Sequence, residues 1–326
     1  MMPFSYVRPA RVAEAVAVVS ADPAAKFVAG GTDLLNLIKD GAEQLHHVVD
    51  INRLPLAGIG VLSGRTIRIG ALTRMREAAD HPVVRTQLPV LSQALLASAS
   101  PQVRNMAAIG GNLLQRTRCG YFRDTGMPCN KREPGSGCPA QNGQNRIHAI
   151  FGGSQHCIAV HPSDFAVALR ALDATVLTTG PAGDRRISLD EFYVLPGTTP
   201  HIETTLRHGE LITAVEVPLT PMAARSRYVK LRDRASFEFA VVSIGAALDL
   251  RGRRVRDARL AFGGVGTRPW RSAEAEEALR GRDLTSATIA AAADAAVRGA
   301  VPRQHNQFKI ELLRRALTGL LTEFGG

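Results

Sequence analysis

The stretch Lys26-Phe27-Val28-Ala29-Gly30-Gly31-Thr32-Asp33-Leu34-Leu35 decides the fold. Its first residues read as a short strand over 26–29, the glycine pair as a bend, and 34–39 as a helix capped by Thr32 or Asp33. Adjacent glycines lack Cβ atoms, so their N–H groups can approach an anion closely, and the helix start adds the positive end of its dipole. That is phosphate-binding logic, although the stretch is neither a Rossmann G-x-G-x-x-G nor a Walker A loop. A second pair, Gly110-Gly111, follows the run 105–109 and precedes Asn112. Two such bends, each expected at the end of a strand, suggest one extended ligand gripped from two sides. A dinucleotide with a pyrophosphate and a long ribityl arm, such as FAD, matches that description.

Working outward, residues 11–19 read as an amphipathic helix and 48–51 as a strand. The run 66–69 alternates as a strand, with Thr73 as a helix cap, and 89–99 is helical. Beyond residue 157 come a strand over 158–160, a helix over 165–172 capped by Ser163 and Asp164, a strand over 175–178 and a strand over 211–217. Residues 180–184 read as a turn and 193–209 as a loop. From about residue 225 the texture changes to three strands, 227–231, 239–250 and 254–262. Helices over 271–280, 285–298 and 308–323 follow, the last with Phe308, Leu312, Leu313, Ala316, Leu320 and Phe324 on one face. Strands followed by helices packed on one side make an α+β arrangement.

The chain has 326 residues, of which 45% are apolar and 21% charged. Wholesale disorder, a collagen-like fibre and a membrane bundle are excluded on that composition. No run approaches the ~18–20 apolar residues that span a bilayer, so no membrane insertion is expected. The formal net charge is +11, and only five of the 40 basic residues are Lys. Apart from the run 251–256 the basic residues are scattered, and no aromatic ladder interleaves with them. A solvated Arg-rich surface is therefore expected, and no nucleic acid. Arg8 and Arg11 precede the apolar run 12–19, but Glu14 interrupts it, so no export signal of its own is expected.

All four cysteines, Cys119, Cys129, Cys138 and Cys157, fall within 39 residues. The segment around them, 116–148, is rich in Gly, Pro, Asn and charge and poor in apolar side chains, so it cannot order itself by burial alone. Four thiolates point to a tetrahedral metal site or an iron–sulfur cluster that supplies the missing ordering free energy. The C-x9-C-x8-C-x18-C spacing matches neither paired zinc knuckles nor a ferredoxin motif. Zinc and cluster both remain open on the residues alone. His148, His156 and His161 lie nearby, but four Cys already complete a site.

Residues 26–35 resemble the first FAD loop of the molybdenum hydroxylase flavoprotein family, the FAD subunits or domains of xanthine dehydrogenase, carbon monoxide dehydrogenase and aldehyde oxidoreductases. Residues 104–113 (RNMAAIGGNL) resemble the second loop, and 161–166 (HPSDFA) the element that follows a strand. The runs 228–236 (YVKLRDRAS) and 262–270 (FGGVGTRPW) resemble hallmarks of the C-terminal domain. The implied fold is α+β. A two-subdomain FAD-binding domain of the vanillyl-alcohol-oxidase (PCMH) type spans 1–220, with subdomains about 1–55 and 56–220 and an insert at 114–160. A CO dehydrogenase flavoprotein C-terminal domain spans 221–326, a three-stranded sheet with helices.

The resemblance also implies roles. Lys26, Phe27, Val28, Ala29, Gly30, Gly31, Thr32, Asp33 and Leu34 would hold the pyrophosphate and ribityl arm of FAD. Ala108, Gly111, Asn112, Thr117, Arg118 and Ile212 would complete the cofactor site, with Asp164 at a polar edge or ribityl hydroxyls and Lys230 at a phosphate or flavin carbonyl. Ala108 stands where many relatives have Thr. Members that carry a cysteine insert bind an extra 4Fe–4S cluster, here through Cys119, Cys129, Cys138 and Cys157. The insert is similar to that of the bacterial periplasmic aldehyde oxidases; xanthine dehydrogenase and 4-hydroxybenzoyl-CoA reductase complexes are the alternatives. The implied function is an electron-transfer oxidoreductase subunit in a heterotrimer. Its partners would be a large subunit with the molybdenum cofactor and a small 2Fe–2S subunit, and electrons would leave to an external acceptor. The compartment would be the periplasm, reached by co-export with a partner bearing a twin-arginine signal, or else the cytoplasm.

Overall fold

The structure, a computed structural model, describes residues 3–63 and 65–325. Chain order begins with β1 (Ser5–Val7), β2 (Ala25–Val28) and β3 (His47–Asp50), a parallel sheet of order β1-β3-β2. Parallel pairing needs crossovers, and helices Val12–Ala21 and Leu34–Asp40 supply them. The first buries Ala15, Val16 and Val19, the apolar face that its spacing predicts. The glycine pair at 30–31 therefore lies just beyond the carboxyl end of β2, the edge where open parallel sheets bind ligands.

The second sheet holds β4 (Ile59–Leu62), β5 (Thr66–Gly70), β6 (Thr175–Gly180), β7 (Gly183–Ser188) and β8 (Leu211–Pro218), antiparallel in the order β4-β5-β8-β6-β7. Ile67 and Ile69 of β5 are buried while Arg68 between them is exposed, so one face of the sheet meets the core. Helices Met75–Asp80, Pro89–Ala97 and Asp164–Ala171 share that core.

The third sheet is β9 (Ser226–Leu231), β10 (Val242–Arg251), β11 (Arg254–Gly263) and β12 (Trp270–Arg271), antiparallel in the order β12-β11-β10-β9. Along β10 the even positions Val242, Ile244, Ala246 and Leu248 join the core made with helices Ala273–Leu279, Ser286–Ala296 and Phe308–Gly325. Ala247 faces the other way, into the core of the second sheet, and the helix Asp164–Ala171 packs against Gly245 there. Both faces of β10 are covered, which is why it reads as a nearly unbroken apolar run. Among the described residues no helix is long and apolar enough to cross a membrane.

Several expectations need correction. The C-terminal sheet has four strands, not three, because Trp270 and Arg271 pair with Phe262 and Ala261. Strands β4 and β7 had no clear signal; β7 lies in a stretch dominated by charge and turn residues. Residues 158–160 form no strand. The second glycine pair does not end a strand; it lies inside the short helix Ile109–Leu113. Neither Thr32 nor Asp33 caps the helix Leu34–Asp40 with its side chain. Thr73 is no cap either, because its hydroxyl is buried and paired with the backbone of Gly58. In the last helix Leu317 and Leu321 are buried, whereas Phe308 stays exposed.

Candidate functional site

A cavity of about 570 Å³ opens where the two glycine segments face each other. Gly31 adopts a left-handed backbone with φ +70°, which turns the chain out of β2. Gly30 lies directly against the second segment: a Cβ there would overlap the Met106 carbonyl oxygen and stand 2.7 Å from its carbon. Gly111 is the opposite case, with open space where its Cβ would be. Among the described residues no protein acceptor takes the N–H groups of Gly30, Gly31 or Thr32. The cavity thus has a cradle of unspent donors at one end, as a diphosphate requires. Its size falls within the ~300–1,000 Å³ of small-molecule sites.

Residues 26–34 all line this cavity, as do Ala108, Gly111, Asn112, Arg118, Asp164 and Lys230. Two expected residues do not. Thr117 is buried beside two neighbouring cavities, and Ile212 points into the core of the second sheet. Part of the remaining wall comes from segments that no motif marked. Ala99 follows the helix Pro89–Ala97 with φ +51°, and a rim loop carries Phe237, also at φ +51°, and Phe239.

Asp164 is held rather than free. Its Oδ1 accepts from the Tyr228 hydroxyl at 2.7 Å, and its Oδ2 accepts from Ser98 at 2.9 Å and Lys230 at 2.7 Å. Both members of the ion pair are almost fully buried, so each depends on the other for its charge. Burial, with Asp164 adding to it, keeps the Tyr228 phenol far above its usual range and so protonated. Ser163 caps the same helix and donates to Asn112 Oδ1 at 2.6 Å, which ties the second glycine segment to it.

Behind the first loop runs a chain of charges. Lys26 and Arg116 both meet Glu43, and Arg116 and Lys131 both meet Glu203. Burial raises the Glu43 and Glu203 carboxyls, but their cationic partners outweigh it and hold both below the ordinary carboxylate range.

The four cysteines line one small void on the far side of this chain. All four are free thiols, and only Cys138 is not fully buried. Burial pushes the Cys119 thiol up to about 12 and raises Cys138 and Cys157, the latter partly offset by Lys131. Without a cation beside them, Cys119, Cys138 and Cys157 are protonated, inert thiols at neutral pH. Among the described residues no group of His, Cys, Asp and Glu is arranged around a single metal ion. His148 is buried with Nε2 3.2 Å from Cys119 Sγ, and the His161 ring packs at a tilt against Tyr193, with its Nε2 unpartnered among the described residues. Burial pushes His161 down to about 4, so it is neutral.

Residues 2–220 match the FAD binding domain in molybdopterin dehydrogenase, and residues 227–324 match the CO dehydrogenase flavoprotein C-terminal domain. The chain belongs to the FAD-binding family of molybdopterin dehydrogenases. It is an oxidoreductase flavoprotein subunit of the molybdenum hydroxylase type. It is 48% identical to the aldehyde oxidoreductase FAD-binding subunit PaoB of Escherichia coli, over 99% of this chain and 98% of that one. It is 25% identical to the putative xanthine dehydrogenase FAD-binding subunit XdhB of the same organism, over 98% and 95%. Its fold matches a chain of the carbon monoxide dehydrogenase of Hydrogenophaga pseudoflava with a TM-score of 0.76 and 27% identity, covering 98% of this chain and 96% of that chain. The glycine cradle and the cavity's volume fit an extended dinucleotide such as FAD.

Proposed function

We propose that this chain is the FAD-bearing electron-transfer subunit of an aldehyde oxidoreductase complex. Its partners are a large subunit holding the molybdenum cofactor and a small 2Fe–2S subunit, in a heterotrimer. The observation that carries this reading is the 48% identity to an aldehyde oxidoreductase subunit over nearly the whole of both chains. The similarity to the xanthine dehydrogenase relative is far lower at 25%.

When bound, FAD accepts two electrons and releases them to an external acceptor. The chain's own residues position it and exclude water. The N–H groups of Gly30, Gly31 and Thr32 take the diphosphate, with Lys26, Phe27, Val28, Ala29 and Leu34 along it. Ala108, Gly111, Asn112 and Arg118 flank the ring-bearing half. Lys230 presents a cation at the wall, held in place by Asp164. Thr117 and Ile212 support the site from behind.

Cys119, Cys129, Cys138 and Cys157 are the ligands of a 4Fe–4S cluster in this reading. The four cysteines line one small void, where they would hold the cluster, and the cluster would supply ordering free energy to the insert 114–160. Residues 1–220 and 221–326 are the two functional domains. The complex resides in the periplasm, by co-export with a partner bearing a twin-arginine signal, or else in the cytoplasm.

The test is anaerobic addition of an aldehyde. In the assembled complex it should bleach the flavin absorbance, while the isolated chain stays oxidised. Aldehyde oxidation by the chain alone would contradict the division of labour. Iron and sulfide analysis of the same sample, against Cys129→Ser, tests the cluster.

A further inference from the structure

The flavin loop carries a carboxylate, Asp33, at the place where a diphosphate is to be bound. An uncompensated anion there would repel the ligand. The structure turns that carboxylate away from the loop's N–H groups and toward the cysteine-bearing segment. Asp33 Oδ1 receives Arg118 at 2.6 Å and Arg123 at 2.9 Å, and Oδ2 receives the backbone N–H of Arg116 at 2.8 Å. All three donors come from residues 116–123, which flank Cys119. Arg118 then stacks on Phe239 of the rim loop, 4.7 Å from the ring centre. Arg123 does not line the cavity, yet it is only 15% exposed and also donates to the Thr117 carbonyl.

We propose that Asp33 is a positioning residue and not a flavin ligand: it fastens the cysteine-bearing segment to the flavin loop, and this fastening sets how tightly flavin is held. The proposal rests on the reading of the cavity as the FAD site. It follows from geometry. Two guanidinium groups neutralise the carboxylate, and the backbone bond to Arg116 fixes the distance between the two segments. The loop's free N–H groups then face the cavity with no competing anion. Disorder in the segment withdraws all three partners at once and returns an unpaired anion to the diphosphate site. Loss of order around the cysteines therefore loosens flavin, although no cysteine lines the flavin cavity.

The test is a double-mutant cycle read as FAD affinity in the assembled complex, by titrating FAD into the deflavo form. Asp33→Asn and Arg123→Gln should each weaken FAD about tenfold, the worth of a charge-assisted hydrogen bond. The double variant should be no weaker than the poorer single one, because both remove the same bond. Arg123→Lys should recover much of the loss. Asp40→Asn removes the other, more exposed carboxylate partner of Arg123 and should leave FAD affinity unchanged. Wild-type FAD affinity in Arg123→Gln would overturn the proposal, as would Asp33→Asn and Arg123→Gln effects that multiply. A wild-type complex that takes up no FAD at all would instead overturn the reading of the cavity on which the proposal rests.

Discussion

Gly30 and the carbonyl of Met106 are in such close contact that no side chain fits between them. The two glycine segments are thus one surface, and the first can be displaced only by displacing the second. Gly30→Ala should cost about 1–3 kcal/mol of stability through overpacking and should also loosen flavin. Gly111→Ala meets nothing in the protein and should leave denaturant stability unchanged while weakening flavin. Equal stability losses in the two variants would show that the segments do not touch as described.

The carboxyls of Glu43 and Glu203 are held below their ordinary range by Lys26, Arg116 and Lys131. For acids with a depressed folded-state pKa, the stabilisation is present above the unfolded value of ~4.3 and is lost as pH falls through the folded one. Flavin release should therefore rise as the pH drops below about 4.3. Glu43→Gln should release more flavin at neutral pH and show a flatter acid limb. An unchanged acid limb in that variant would remove Glu43 from the account.

Lys309 is fully buried, with its ammonium on the carbonyls of His148 and Gly264 and, among the described residues, no carboxylate in contact. Burial, with Arg146 adding to it, pulls it down to about 7. The unfolded chain, titrating near ~10.4, binds the extra proton between these values, so folded stability rises with pH across that window. Relative to Lys309→Met, the wild type should gain up to ~1.4 kcal/mol per pH unit there. Parallel stability curves from pH 7 to 10 would show that Lys309 keeps its proton when buried, and would contradict the lowered value.

Lys230 and Asp164 form the buried pair at the cavity wall. Lys230→Met leaves Asp164 with an uncompensated buried charge and should cost about 3–5 kcal/mol. The double variant Lys230→Met, Asp164→Asn should recover part of that loss. Denaturant unfolding of both measures it, and a single variant as stable as the wild type would show that Asp164 has other means of neutralisation.

Much of the site was legible because its residues have local causes. Gly30-Gly31 must bend, and four cysteines in a polar segment must meet something. The helix Asp164–Ala171 announces itself through Ser163, whose hydroxyl accepts from Ala166. What escaped was non-local. Asp33 has the identity of a helix cap, but three donors from 83 to 90 residues away claim its side chain. Ile212 sits in a strand whose two faces cannot be told apart in an apolar run. The rim residue Phe237 takes a left-handed backbone that no local signal predicts for a phenylalanine. Strand β12 is two residues long, and only pairing with β11 makes it a strand.

The most direct test of the flavin cradle is the FAD content and visible spectrum of the complex purified in its assembled native form. One FAD per copy of this chain, released by Gly31→Asp, which places a carboxylate among the donors of the cradle, is the predicted result. A correctly assembled wild-type complex without flavin, or a Gly31→Asp complex that keeps its full complement, would contradict it.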